Sequence, residues 1–351
     1  MYDQLIMRMC AYTGSRHPLA LSLCFDRLSM SGGLKADRPE LVEGRSRFTE
    51  RILLSVLFLC ASSCSLKTIA MTSIADTLSS PGAAYARDDD PELVKDALPV
   101  IIKVMEQIRD ELPRHRGLLL ALCRTVTSYA VAFVANRADE VQEVDVARAR
   151  PLYDRARRLL LRARNDGMEA LELAHPGFKR ALYGHQRAEE KRLLATATKA
   201  DVALLYWTGA AWASAISSAK DDMALVGDVP EVEMLMRRAL DLDESFESGS
   251  VHEFFVAYLA GRSKHEGGGP EQARQHFLRA RALSQGKKLS PELSYAENVL
   301  PLLQDKKQFN TLLSEVLAFD VDSAPEYRLV NTLAQQRARF LLGRINDLFA
   351  E

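Results

Sequence analysis
The sequence predicts an all-α protein built from stacked helix pairs, and three observations lead there. From Leu66 onward there is no run of alternating apolar residues bounded by hairpin turns, so nothing reads as a strand. Aromatics make up only 7% of the 351 residues, while Ala, Leu and Arg are abundant, a balance that favours helix over sheet. One apolar spacing, i, i+4, i+7, i+10, returns four times along the chain. The net charge of −1 supplies no global field that would draw in nucleic acid or an anionic membrane.

The first sixty-four residues read as an address rather than a fold. The basic stretch Arg45-Ser-Arg-Phe-Thr-Glu-Arg51 precedes the apolar run Ile52-Leu-Leu-Ser-Val-Leu-Phe-Leu-Cys60, and the small residues Ala61-Ser-Ser end at Cys64. This is the layout of a secretory signal. The apolar run is too short for a bilayer, which needs about 20 helical residues. A cysteine at the end of such a signal resembles a bacterial lipobox, so Cys64 is the expected lipidation site and 45–64 the expected lipoprotein signal peptide. Ala61 stands where leucine is commonest, and an ordinary signal with a chance cysteine is the alternative. Ser65 rather than Asp after the cysteine implies the outer membrane. Residues 1–44 have no helical or strand period and resemble a translated dispersed DNA repeat. The expectation is a misassigned start, with translation beginning near Val42, or a disordered leader. Cys10 and Cys24 fall in that leader, so only Cys123 remains in the expected body, without an intrachain partner.

The body, 65–351, reads as helix after helix. Asp88-Asp-Asp-Pro91 is a start signal, with an acidic cap followed by proline at the first helical position. The helix it opens carries Leu98, Ile102, Met105 and Ile108 on one face and stops before Pro113. Gly117 to Asn136 is a second helix, apolar nearly all round apart from Arg124, which predicts burial within the protein. The recurrent face then appears as Ala149, Tyr153, Ala156, Leu159; as Val232, Met236, Ala239, Leu242; as Ala273, Phe277, Ala280, Leu283; and, more weakly, as Phe309, Leu313, Val316, Phe319. Small residues at these positions let paired helices approach, as in divergent tetratricopeptide-like repeats. Gly261, twelve residues before Ala273, is the expected first-helix glycine of the third copy, and Gly209 plays that part in Leu205-Tyr-Trp-Thr-Gly-Ala-Ala-Trp212. First positions at 149, 232, 273 and 309 are unevenly spaced, which calls for an insertion within 166–200. A stack of this kind buries a continuous core and offers an extended concave surface.

No constellation for catalysis, metal or cofactor stands out. His252-Glu253 begins like a zinc-protease motif, but Val256 stands where the second histidine belongs. Gly267-Gly-Gly-Pro270 lacks the Lys-Ser/Thr of a phosphate loop and reads as an interhelical turn. Cys123 sits in an apolar helix as a core thiol. Trp207 and Trp212, with Tyr206, either line an apolar groove or pack in the core. Tyr129 and Phe133 join them as candidate groove or pore residues.

These segments carry a resemblance. Cys64-Ser-Leu-Lys67 and the run from Asp88 to Pro99, His115-Arg-Gly-Leu-Leu-Leu-Ala121, Tyr129-Ala-Val-Ala-Phe133 and Trp207-Thr-Gly-Ala-Ala-Trp212 are similar, in order, to TatT lipoproteins. These are the tetratricopeptide-like components associated with TRAP transporters. The resemblance spans 64–351. It implies a periplasmic, lipid-anchored homotrimer whose protomers contain pores. The implied partner is a TRAP-type solute-binding protein, with a small organic solute as possible ligand, and no catalytic residues come with it. A periplasmic scaffold for envelope proteins or peptides, unrelated to transport, is the competing reading.

Overall fold
The computed structural model describes residues 67–80 and 83–350. The expected leader (1–44), signal (45–64) and Cys64 lie outside the described residues. These residues belong to the second of two units into which the chain divides, Cys64–Glu351.

Among the described residues every regular element is helical, as the composition predicts. Helix α1 covers 67–79 and α2 covers Ala83–Ala86. Helix α3 runs Pro91–Glu111. Its cap is Asp90, whose Oδ1 accepts from the N–H groups of Glu92 and Leu93 at 3.0 Å each, satisfying donors that a helix start leaves open. The predicted stripe Leu98, Ile102, Met105 and Ile108 is buried. A small cluster of Ala75, Met105, Ile108, Leu118 and Leu122 ties α1 to α3 and to the next helix.

That next helix is longer than the apolar pattern suggests. Helix α4, Arg116–Tyr129, passes through a π-helical turn, Ala130–Ala135, into α5, Asn136–Gln142. Together Arg116–Gln142 is long and apolar enough to cross a membrane by length and composition. It is instead packed by protein: Leu118, Leu122, Cys123 and Val126 are buried, and α4 lies against α3 and the 29-residue α6, Val146–Ala174. The apolar pattern fades after Asn136 because α5 is a surface helix, with Ala138 its buried residue.

The stretch 166–200, where an insertion was expected, holds the end of α6, then α7 (Phe178–Tyr183) and α8 (Arg187–Thr196). Helix α9, Val202–Ser217, packs on α6 and α4, and on α11, Val229–Leu242, which follows the short α10, Met223–Val226. Then come α12 (Ser250–Ala260), α13 (Pro270–Leu283), α14 (Ser290–Asn298), α15 (Leu300–Leu303) and α16 (Lys306–Ala318). Helices α12 and α13 pack as a pair across the Gly-rich turn, as do α14 and α16 farther on. In all four copies of the recurrent face the first and third residues are buried, with Ala156, Ala239, Ala280 and Val316 fully so. Equivalence of the copies as repeats is a finer matter than this burial, which any amphipathic helix shares.

One glycine assignment is corrected. Gly261 was expected where two helices approach, but α12 ends at Ala260. Gly261 is its exposed C-cap, and a Cβ built there meets nothing within 4 Å. Close approach occurs at Gly209, whose Cβ would lie 3.1 Å from Met236 Cε of α11, and more tightly at Gly167 in α6. The twelve-residue spacing from Ala273 misleads because the turn before Pro270 takes up those residues.

The last long helix, α17 (Arg328–Gly343), followed by α18 (Ile345–Leu348), returns to the beginning of the described chain. It packs on α2 and α3, and Arg328 Nη1 donates to the Arg87 carbonyl at 3.0 Å.

One buried acid makes stability depend on pH. Glu292 of α14 is 4% exposed; its Oε1 lies 3.2 Å from Arg281 Nε, while Oε2 has no partner. Burial raises its pKa from 4.5 to about 7, with the half-exposed Arg281 opposing too weakly to prevent it. A folded-state value above the unfolded one means the native protein keeps a proton that the unfolded chain releases. This acid therefore costs no stability below pH 4.5 and an increasing amount as pH rises to about 7. Glu292→Gln is expected to remove that decline and to be about 1–3 kcal/mol more stable than wild type at pH 8. Urea unfolding at pH 5 and pH 8 checks this; parallel pH slopes in the two proteins would assign the effect elsewhere.

Candidate functional site
The return of α17 to the N-terminal helices closes one side of a polar cavity. Its far wall is the π-helical turn. An extra residue per turn re-aims the helix face locally, and Val131, Ala135 and Asp139 of this segment all border a cavity of roughly 1060 Å³. Arg150, Tyr153 and Arg157 of α6 and Ser214 and Ser218 at the end of α9 continue the wall. Glu297 of α14 and Arg337 of α17 complete it from the other end of the chain.

Charge organises this wall. Arg337, only 11% exposed, donates through Nη2 to Asp139 Oδ2 at 2.8 Å and also to Glu297 Oε1. Its guanidinium is held protonated by these two carboxylates against the cost of burial. Tyr153 Oη donates to Asp139 at 2.7 Å, and burial pushes that phenol up, so it remains a neutral donor. Arg344 pairs with Glu143 at 2.9 Å and Arg157 with Asp222 at 3.3 Å. The lining mixes carboxylates, guanidiniums and hydroxyls, and small-molecule sites have volumes of about 300–1,000 Å³.

The faces that line the cavity extend along both helices to a second polar cluster. Arg124, Ser128, Val131 and Ala135 follow one another at i, i+4, i+7 and i+11, and Trp207, Ala210, Ser214 and Ser217 at i, i+3, i+7 and i+10. At that far end Trp207 Nε1 donates to Glu247 Oε1 at 3.2 Å. Glu247 sits in the left-handed region (φ 42°), as do Ser248 (φ 59°) and Gly249 (φ 93°). Such runs cost energy in non-glycine residues and gather at functional sites. Ser248 Oγ shares a hydrogen bond of 2.6 Å with Tyr327 Oη, and Lys288 Nζ donates to the Glu247 carbonyl at 3.4 Å. Glu247 is nevertheless exposed to solvent. Crowding by protein raises its pKa against the opposing Lys288 charge and the Trp207 hydrogen bond. Arg124 faces it, with desolvation lowering its pKa and Glu247 raising it. Arg124 Nη2 donates to the Ser80 carbonyl at 3.3 Å.

Comparison with known proteins decides what kind of chain carries this cavity. Residues 87–349 match the family described as the TRAP transporter T-component. An uncharacterised protein of Treponema pallidum (strain Nichols) is similar as well, 32% identical over 307 residues, which are 84% of this chain and 95% of the relative.

This chain belongs to the TRAP transporter T-component family.

The match runs from Arg87 to Phe349, so it contains every residue that lines the cavity. The family is a transporter accessory component rather than an enzyme class, which fits a site of ion pairs and hydroxyls.

The residues singled out by sequence fall into three places in this T-component. Tyr129, 7% exposed, and half-buried Phe133 meet at 6.0 Å, and Arg155 donates to Tyr129 Oη at 3.1 Å. Tyr206 and Trp207 pack edge to face at 5.2 Å and Tyr206 also meets Phe246, so these two rings belong to the far cluster. Trp212 has no exposed surface: it is a core residue, donating from Nε1 to Asp228 at 3.1 Å and packing against Tyr183. Trp212 is thus a core residue while Trp207 is half-buried, because five positions along a helix carry a side chain to a different face. Cys123 is a fully buried thiol whose pKa burial pushes up, as its apolar helix predicts. Asp139, Glu247, Glu297 and Arg337 were missed. Their surroundings come from segments far apart in sequence, and the one local signal of this kind, a charge inside an apolar helix, was noted only for Arg124.

Proposed function
We propose that this protein is an exported accessory of a TRAP transporter, anchored through lipidated Cys64 to the periplasmic face of the outer membrane. There it docks the system's extracytoplasmic solute-binding protein as a homotrimer of tetratricopeptide-like protomers. The polar cavity and the Arg124–Glu247–Trp207 cluster are the surfaces it offers to a small organic solute passing to or from that partner. The observation that carries this reading is the family match, which spans every element that builds the cavity. The cavity's mixed charges suit a polar solute better than a hydrocarbon. The signal-like run ending in Ala61-Ser-Ser-Cys64 supports export and anchoring.

The full chain, expressed in cells fed a clickable fatty acid, can be solubilised from membranes in mild detergent and examined for label and partners. Label is expected on wild type and not on Cys64→Ala. Mass spectrometry is expected to find a TRAP-type solute-binding protein among the co-purifying chains. Sedimentation velocity at about tens of micromolar, a range in which weak complexes still show, is expected to give a trimer. Equal labelling of both proteins would remove the anchor. A monomer that never co-sediments with the cognate binding protein, with or without solute, would remove the docking role and favour a general envelope scaffold.

A further inference from the structure
Next to the Trp212 indole, whose Nε1 donates to Asp228, three potential metal ligands meet. His185 lies in the turn between α7 and α8, and Asp228 and Glu231 lie at the start of α11. We propose that His185, Asp228 and Glu231 form a binding site for a divalent cation of the zinc class.

The geometry is specific. One ligand atom from each residue lies within 4.8 Å of the others. His185 Nδ1 is hydrogen-bonded to Glu231 Oε1 at 2.7 Å, and the other ring nitrogen, Nε2, is 3.9 Å from Asp228 Oδ1, so an ion would take one ring nitrogen and replace that contact. Zinc–ligand bonds of about 2.0–2.2 Å set tetrahedral donors about 3.4 Å apart, so the His185–Glu231 contact opens slightly when an ion enters. His185 is half-exposed in the turn, so its ring can adjust while the two carboxylates stay on the helix. A nitrogen and two carboxylate oxygens, with room for water on the exposed side, suit zinc rather than calcium or magnesium, which take all-oxygen sets.

A second observation points to a missing ligand. Glu231 has no exposed surface, and its Oε2 has no hydrogen-bond partner. Beside it Glu190, 1% exposed, has an unpartnered Oε1. Buried carboxylate oxygens are normally satisfied. The cation in direct contact with both is Arg187, at 2.8 Å from Glu231 and 3.0 Å from Glu190. Arg164 is the next, stacked on Trp212 and donating to Asn165. Glu190, Glu231 and Asp228 gather around the one guanidinium of Arg187 and the His185 ring, an excess of acidic groups that a divalent ion would offset. The positive end of α11 opposes a cation there, but its half-charge is smaller than that excess. The outer shell is also built: Trp212 Nε1 holds Asp228 Oδ2 and leaves Oδ1 facing His185, and Arg187 fixes Glu231 through Oε1.

The test uses the full chain stripped with chelator and titrated calorimetrically with Zn2+, with Mg2+ and Ca2+ in parallel. One equivalent of zinc is expected to bind with a Kd on the order of micromolar or tighter, with neither of the other ions competing. His185→Ala, with its fold checked by circular dichroism and a thermal melt, is expected to weaken zinc at least about tenfold. Co2+ substitution supplies an independent readout: d–d bands of a nitrogen–oxygen site in wild type, altered in His185→Gln. Absence of zinc binding by the wild type, or unchanged affinity in His185→Ala, would overturn the site. The second result would direct attention to His252 and His276, whose Nδ1 atoms lie 2.8 Å apart.

Discussion

Gly167→Leu is expected to destabilise the fold by about 3 kcal/mol or more, through overpacking that the surrounding helices cannot relieve. Gly167 lies in the middle of α6, where α4 and α9 both press on it. A Cβ at this position would sit 2.3 Å from Thr208 Oγ1 and 2.9 Å from Cys123 Sγ. Thr208 Cβ, which χ1 rotation does not move, would also lie only 3.2 Å away, so turning the hydroxyl aside does not clear the contact. Gly167→Ala is expected to cost less, about 1–3 kcal/mol, since one methyl requires a smaller displacement. Gly261→Leu is the control: it points into open space at an exposed helix end and is expected to fall within about 0.5 kcal/mol of wild type. Thermal and urea melts of the three variants test the order. Equal midpoints for Gly167→Leu and Gly261→Leu would show that α6 does not approach α4 and α9 as closely as described.

Arg337→Met is expected to loosen the contact of α17 with α5 and α14 and to cost about 2–3 kcal/mol. Removing one partner of a buried ion cluster costs about 3–5 kcal/mol because the remaining charges lose their compensation. Asp139 and Glu297 keep about a third of their side-chain surface in water, which places the expectation below that range. Hydrogen exchange would localise the effect: faster exchange in α17 and α5, with α12 and α13 unchanged. Uniform acceleration over all helices would mean that Arg337 serves the global fold rather than this contact.

Much of this architecture was legible from local chemistry. Asp90 and Pro91 announce the start of α3 because capping involves groups only two or three residues apart. The stripes of α3 and α11 and the recurrent small residues show which face is buried, since helical period alone decides which side chains share a face. The site was less legible. Trp207 and Trp212 look alike in sequence, yet Trp207 reaches Glu247, forty residues away, and Trp212 is enclosed in the core. Arg337 meets Asp139 across 198 positions, and no spacing rule predicts such a pair.

By itself, then, the sequence determined the helical class, the starts of a few helices such as α3 and α13, the buried faces and the resemblance to a transport component, all of which depend on residues close together along the chain. The tertiary structure alone decided where glycine is indispensable, which charges share the cavity, and that His185 meets Asp228 and Glu231. Those outcomes depend on how helices distant in sequence pack against one another, and packing is set by the summed fit of many side chains rather than by any one pattern.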